Sequence, residues 1–146
     1  VGRMSLLGRI QKTPLRRSST NGGDVRHAMK CSEGSFQGFG EAYFTWVDSN
    51  VVKAWKQHFQ MTMNLVVPLG EVRFVFYDPA NAFFREELIG EQHYHRLTVP
   101  PRIWFGFQGK AKKSSLILNL ANLSHSPEEV MRIDLEKIQF NWISEE

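Results

Sequence analysis

Cysteine is nearly missing from this chain: Cys31 is the one thiol among 146 residues. That excludes a disulfide framework and any zinc site built on thiolates, and it points to a reducing compartment in which Cys31 is inert. Long apolar runs are missing too. Nothing approaches the roughly 20 residues of a membrane span, and the arginines near the N-terminus are not followed by the apolar stretch of a secretory leader. A cytoplasmic protein without membrane contacts is therefore expected. The excess of positive charge is small, +3, and five basic residues, Arg3, Arg9, Lys12, Arg16 and Arg17, fall in the first seventeen. A nucleic-acid partner would call for a basic stripe interleaved with exposed aromatics. Here the aromatics alternate as core residues do, so none is expected.

What the chain does have is strand signal. Residues 1–23 close on Ser-Ser-Thr-Asn-Gly-Gly and read as a flexible basic lead-in with Leu6 to Ile10 as an edge strand; residues 24–146 read as one domain. Strands are expected over Asp24 to Met29, Glu41 to Val47, Leu65 to Val67, Val72 to Tyr77, Tyr94 to Val99, Ile103 to Phe107 and Leu116 to Leu120, the last buried. Phe83 to Ile89 is open between strand and helix. Pro68-Leu69-Gly70 reads as a turn. Ser126-Pro127-Glu128-Glu129 reads as a short helix start, with Glu129 completing a capping box. Short strands at near-regular spacing make an antiparallel sandwich or barrel.

The stretch from Val51 to Asp78 carries the polar side chains of most interest. Period two puts Lys56, His58 and Gln60 on one strand face. A cation turned toward a core is costly and usually serves an anion, and His58 is suited to proton transfer near neutral pH. His93 and His95 share a face but lack a third ligand, Trp104 and Phe105 read as core, and residues 110–113 read as a solvated loop.

Motifs in order carry a resemblance. Lys53-Ala54-Trp55-Lys56-Gln57-His58, Gly70-Glu71-Val72-Arg73, Pro100-Pro101-Arg102-Ile103-Trp104-Phe105-Gly106-Phe107, residues 122–129 and Phe140-Asn141-Trp142 together resemble the dTDP-4-dehydrorhamnose 3,5-epimerase family. Asp24-Val25-Arg26 resembles the start of its D-x-R-G-x-F, with His27 and Met29 in place of the Gly and Phe. The resemblance covers residues 20–142. It implies an all-β, antiparallel double-sheet cupin (jelly-roll) barrel with a short C-terminal helix. It also implies a homodimer paired through strands near the N-terminus and a nucleotide-linked 4-keto-6-deoxysugar as substrate, in cell-surface polysaccharide synthesis.

The same resemblance implies no metal and no other cofactor. Of the four ligands in the general cupin pattern, only His58 survives; Lys56, Met63 and Phe105 take the other positions. The family's His base, at the end of R-G-L-H, is replaced by Lys56. Its Tyr acid falls on Leu118 or Asn119, and Tyr43, Tyr77 and Tyr94 are expected elsewhere. The sugar 3,4-ketoisomerases, also similar, would set their H-x-H on Lys56 and His58. The expected site is thus Lys56 and His58 for proton transfer, with Arg26, Lys53, Gln60, Arg73 and Asn119 holding substrate; Arg26 would take the diphosphate. Two functions remain: an epimerase or isomerase using Lys56 and His58, and a non-catalytic cupin that binds a sugar nucleotide or small anion.

Overall fold

The computed structural model describes residues 5–143. Twelve strands account for most of them: β1 Gln11–Pro14, β2 Arg17–Thr20, β3 Gly23–Arg26, β4 Glu41–Val47, β5 Val52–His58, β6 Met63–Leu69, β7 Glu71–Asp78, β8 Phe83–Gly90, β9 His95–Val99, β10 Trp104–Gly109, β11 Ser115–Ala121 and β12 Val130–Arg132. One five-stranded sheet runs β1-β9-β6-β11-β4, and the second runs β12-β5-β10-β7-β8. A separate ribbon, β2-β3, straddles residue 23. Every pairing between these strands is antiparallel. The two sheets face each other across a core of inward-pointing side chains that includes Met63, Leu65, Leu97, Phe74, Phe76 and Ile117.

Alternation explains most of this. In β7, Val72, Phe74 and Phe76 enter the inter-sheet core, while Val75 joins Trp55, Ile138 and Trp142 in a second cluster on the outer side, beneath the C-terminal segment. Phe83–Gly90, ambiguous from sequence, is a strand because it pairs with β7 along its whole length. Gly70 makes the β6-β7 turn possible. Its φ is +87°, and a Cβ there would stand 2.2 Å from Ser115 Oγ, so a side chain is excluded on both counts.

Three local expectations change. Leu6–Arg9 is a 3-10 turn rather than an edge strand, with Leu7 and Ile10 buried, and β1 takes the edge beside β9. Pro127–Glu129 is a single 3-10 turn rather than a short α-helix, and no capping bond forms: Ser126 Oγ donates to Glu128 Oε1. Leu116 and Leu118, expected to be buried, are half-buried on the outer face of β11.

Candidate active site

The two sheets enclose a cavity of about 590 Å³. A defect in β5 shapes it. Along the β10-β5 ladder, Phe105 faces Lys56 and Gly106 faces Ala54, so Trp55 is an extra residue between them. Phe107 faces Lys53. Phe105 and Phe107 point inward and Gly106 does not. The bulge therefore turns both Lys53 and Lys56 into the cavity and sends Trp55 outward into the second cluster. Strict alternation would have put the two lysines on opposite faces.

Lys56 is half-buried, with its ammonium 5.7 Å from the centroid of the Phe105 ring. Arg132 of β12 is its cross-strand partner and also lines the cavity. Burial first, then the charges of Arg132 and Lys53, hold the Lys56 ammonium below its usual pKa, with Glu129 opposing. Desolvation and like charge both favour the free amine.

Across the cavity, on the other sheet, stands a phenol. Tyr43 of β4 is the register partner of Asn119 on β11, and both line the cavity. The Asn119 carboxamide is oriented by its backbone neighbour: Oδ1 accepts from the Asn64 amide at 3.1 Å, which leaves Nδ2 to donate to Tyr43 Oη at 2.9 Å. Among the described residues the phenolic proton meets no acceptor. Burial raises the Tyr43 pKa, with the Asn119 bond opposing and Glu41 adding to the rise. The group stays protonated and its proton stays available.

His58 ends β5 and is 2% exposed. Its ring stacks on Phe105, with centroids 6.1 Å apart, and its Nδ1 lies 2.7 Å from Glu129 Oε1. Glu129 Oε2 accepts from the amides of Gln60 and Met61 at 2.6 and 2.7 Å. Burial lowers the His58 pKa against the pull of Glu129. A neutral ring donating Nδ1–H to the carboxylate carries its lone pair on Nε2, which meets no partner among the described residues. His58 does not itself line the cavity.

The expected site residues thus divide. Lys53, Lys56 and Asn119 come together in the cavity, and of the two residues on which the family's tyrosine could fall, Asn119 is the one that points inward. Gln60 is exposed beyond the end of β5 and contributes its amide to Glu129. Arg73 lies on the outer face of β7, bonded to Gln108 Oε1 and the Trp142 carbonyl and stacked on Phe140 and Trp142. Arg26, in the β2-β3 ribbon, pairs with Asp24 and Glu91 and donates to the Pro68 carbonyl. Two contributors were missed. Tyr43 was expected away from the site, although period two along Glu41–Val47 sets it beside Thr45. Glu129 was assigned to a cap. No group of three or more His, Cys, Asp or Glu side chains that could hold a metal comes together among the described residues, and no helix there is long and apolar enough to cross a membrane.

Two apposed antiparallel sheets around a polar cavity define the chain as a cupin. The resemblance carried by its motifs is borne out at the level of structure: the fold is the RmlC-like cupin seen in solved dTDP-sugar isomerases and dTDP-4-dehydrorhamnose 3,5-epimerases. No family model and no curated protein matches the sequence, but solved structures do. A dTDP sugar isomerase from Desulfovibrio desulfuricans G20 is 29% identical, with a TM-score of 0.89 over 99% of this chain and 98% of that one. A dTDP-6-deoxy-D-glucose-3,5-epimerase from Legionella pneumophila, in complex with dTDP-4-keto-L-rhamnose, is 14% identical, with a TM-score of 0.78 over 94% and 80%. A sugar 3,4-ketoisomerase from Thermoanaerobacterium thermosaccharolyticum, in complex with TDP, is 13% identical, with a TM-score of 0.72 over 88% and 90%.

Proposed function

We propose that this protein is a cytoplasmic isomerase or epimerase of a nucleotide-linked 4-keto-6-deoxysugar, acting by metal-free proton transfer alpha to the ketone, in cell-surface polysaccharide synthesis. The observation that carries the reading is the placement of Lys56 and Tyr43 on opposite sheets, facing one cavity, with their proton affinities displaced in opposite directions. A base that favours its neutral form and an acid that keeps its proton are the two requirements of carbon acid chemistry at neutral pH.

The Lys56 amine takes a proton from the carbon beside the ketone, and the C–H electron pair moves into the carbonyl as an enolate. Tyr43 returns a proton from the other side of the ring, closing the sequence with inversion. Both groups are then reset by exchange with water. Phenol and amine thus do the work that the resemblance gives to a tyrosine on β11 and a histidine at position 56. His58, expected as a base, is buried outside the cavity with its Nδ1 held by Glu129 and takes no part in this transfer. Lys53 and Arg132 supply the positive field for the diphosphate, and Asn119 positions the acid.

Solvent deuterium wash-in tests this reading. Incubation with dTDP-4-keto-6-deoxyglucose in heavy water should place deuterium on a carbon alpha to the ketone. Lys56→Met should slow exchange by about 10²–10⁴-fold, the range for loss of a positioned base. Absence of exchange on every 4-keto sugar nucleotide tried, with binding retained, would leave a non-catalytic binder instead.

A further inference from the structure

The cavity holds two amines in unlike settings. Lys53 is exposed, and its Nζ donates to the Trp46 carbonyl at 3.1 Å. Lys56 is half-buried, lies over the Phe105 ring and meets no carboxylate within ion-pair distance among the described residues. Its cross-strand partner Arg132 faces the same cavity, and side chains so paired start about 5 Å apart. Three cations, Lys53, Lys56 and Arg132, line the cavity against one carboxylate, Asp134, and much of the remaining lining is apolar, Phe74, Phe105, Phe107 and Ile117 among it. A desolvated amine beside a second cation is the usual setting of a nucleophilic lysine. Burial and Arg132 already hold this one below its ordinary pKa.

We infer that Lys56 also acts as a nucleophile, and that this site decarboxylates small β-keto acids through an iminium on its nitrogen. A lone pair that takes a proton from carbon can instead add to the carbonyl carbon one bond away. Where the ligand's anionic end is held decides between the two. In a nucleotide-linked 4-keto sugar the diphosphate and the ketone lie across the ring from each other. In a β-keto acid the carboxylate stands two bonds from the ketone carbon, so one such molecule spans Arg132 and Lys56. This inference rests on the free amine and the acid of the proposed sugar reaction, and not on a sugar being bound.

The amine adds to the ketone carbon, the carbonyl oxygen takes the Tyr43 proton, and the nitrogen returns a proton to the phenolate. Tyr43 then protonates the departing hydroxyl, which leaves as water, and an iminium remains. The bond to the carboxylate breaks, its electron pair moves into the iminium, and carbon dioxide leaves behind a neutral enamine. The charge of the carboxylate disappears in that step, which suits an apolar lining where charge is costly. Tyr43, reset by water, protonates the enamine carbon, and a further water hydrolyses the iminium to release the ketone and the free amine. One proton is consumed in all, and nothing is oxidised or reduced.

Acetoacetate with sodium cyanoborohydride is the test, read by peptide mass spectrometry and, without the reductant, by release of carbon dioxide. The wild-type chain should release carbon dioxide and carry the reduced adduct on Lys56, while the exposed Lys30, Lys112 and Lys113 stay unlabelled. Lys56→Arg keeps the charge without the free amine and should lose both signals. Acetone, a methyl ketone without the carboxylate, should label Lys56 less at equal concentration; equal labelling would overturn the role given to Arg132. Label confined to exposed lysines, or carbon dioxide release that survives in folded Lys56→Arg, would overturn the inference. If that variant does not fold, the site of the adduct on the wild type decides. Deuterium wash-in with the sugar nucleotide runs beside it: exchange without trapping refutes this inference alone, and trapping without exchange refutes the sugar reading alone.

Discussion

Tyr43 and Lys56 are asked for different things, and single substitutions separate them. Tyr43→Phe removes the proton donor and keeps the ring, so substrate affinity should hold within a few-fold while turnover falls about 10²–10⁴-fold, read from kcat beside an equilibrium dissociation constant. Lys56 depends on its neighbours. Arg132 is the second cause of its lowered pKa, after burial. Arg132→Gln removes a positive charge from beside the ammonium, so the Lys56 pKa must move up and less free amine is present at neutral pH. The expected profile of rate against pH is a rising limb displaced to higher pH, with the deficit shrinking as the medium becomes alkaline. A variant depressed equally at every pH would assign Arg132 to substrate binding alone.

The bulge at Trp55 decides which element faces can act. It depends on Gly106: a Cβ there would stand 2.5 Å from the Cβ of Ala54. Gly106→Ala should therefore push β5 off β10 and cost about 1–3 kcal/mol, the usual penalty of overpacking, measured by urea denaturation. The same variant should lose turnover out of proportion, because Lys53 and Lys56 hang on the displaced strand. This is also where the sequence stops being legible. Glu41–Val47 could be read to the residue because glycines and a turn bound it, strand spacing gave an antiparallel sandwich or barrel, and the double-sheet jelly roll came with the resemblance. A bulge belongs to a pair of strands and has no mark in either one. β1, β2 and β12 are short and mostly polar or exposed, and they are strands because of what they pair with. Tyr43 was passed over because the resemblance sets the acid on β11, at Leu118 or Asn119, and a phenol reaching the same cavity from the neighbouring strand has no mark in that motif. Arg73 shows the converse: it was expected to hold substrate, although alternation with the core residues Val72 and Phe74 already sets it on the outer face.

Across the whole molecule, the His58–Glu129 pair ties the end of the second sheet to the turn before β12, and its protonation bears on global stability. Burial lowers the His58 pKa from 6.5, so in acid the unfolded chain takes up the proton first. Burial alone would raise the Glu129 pKa, but the amides of Gln60 and Met61 and the ring of His58 outweigh it, leaving it below 4.5. Both shifts are downward, so the unfolded state binds more protons in each window and stability rises with pH there. The stabilisation is complete above the ordinary value of each group and is lost as pH falls through the folded value. Melting temperature should therefore decline as the medium is acidified from 6.5, with a second decline below 4.5. His58→Gln cannot titrate, so the difference between wild type and variant isolates the first decline, while Glu129 on its two amides keeps the second. Should that difference stay constant from neutral pH to about 5, the imidazole would have to take up its proton as readily in the folded chain as in the unfolded one, and burial would not govern its titration.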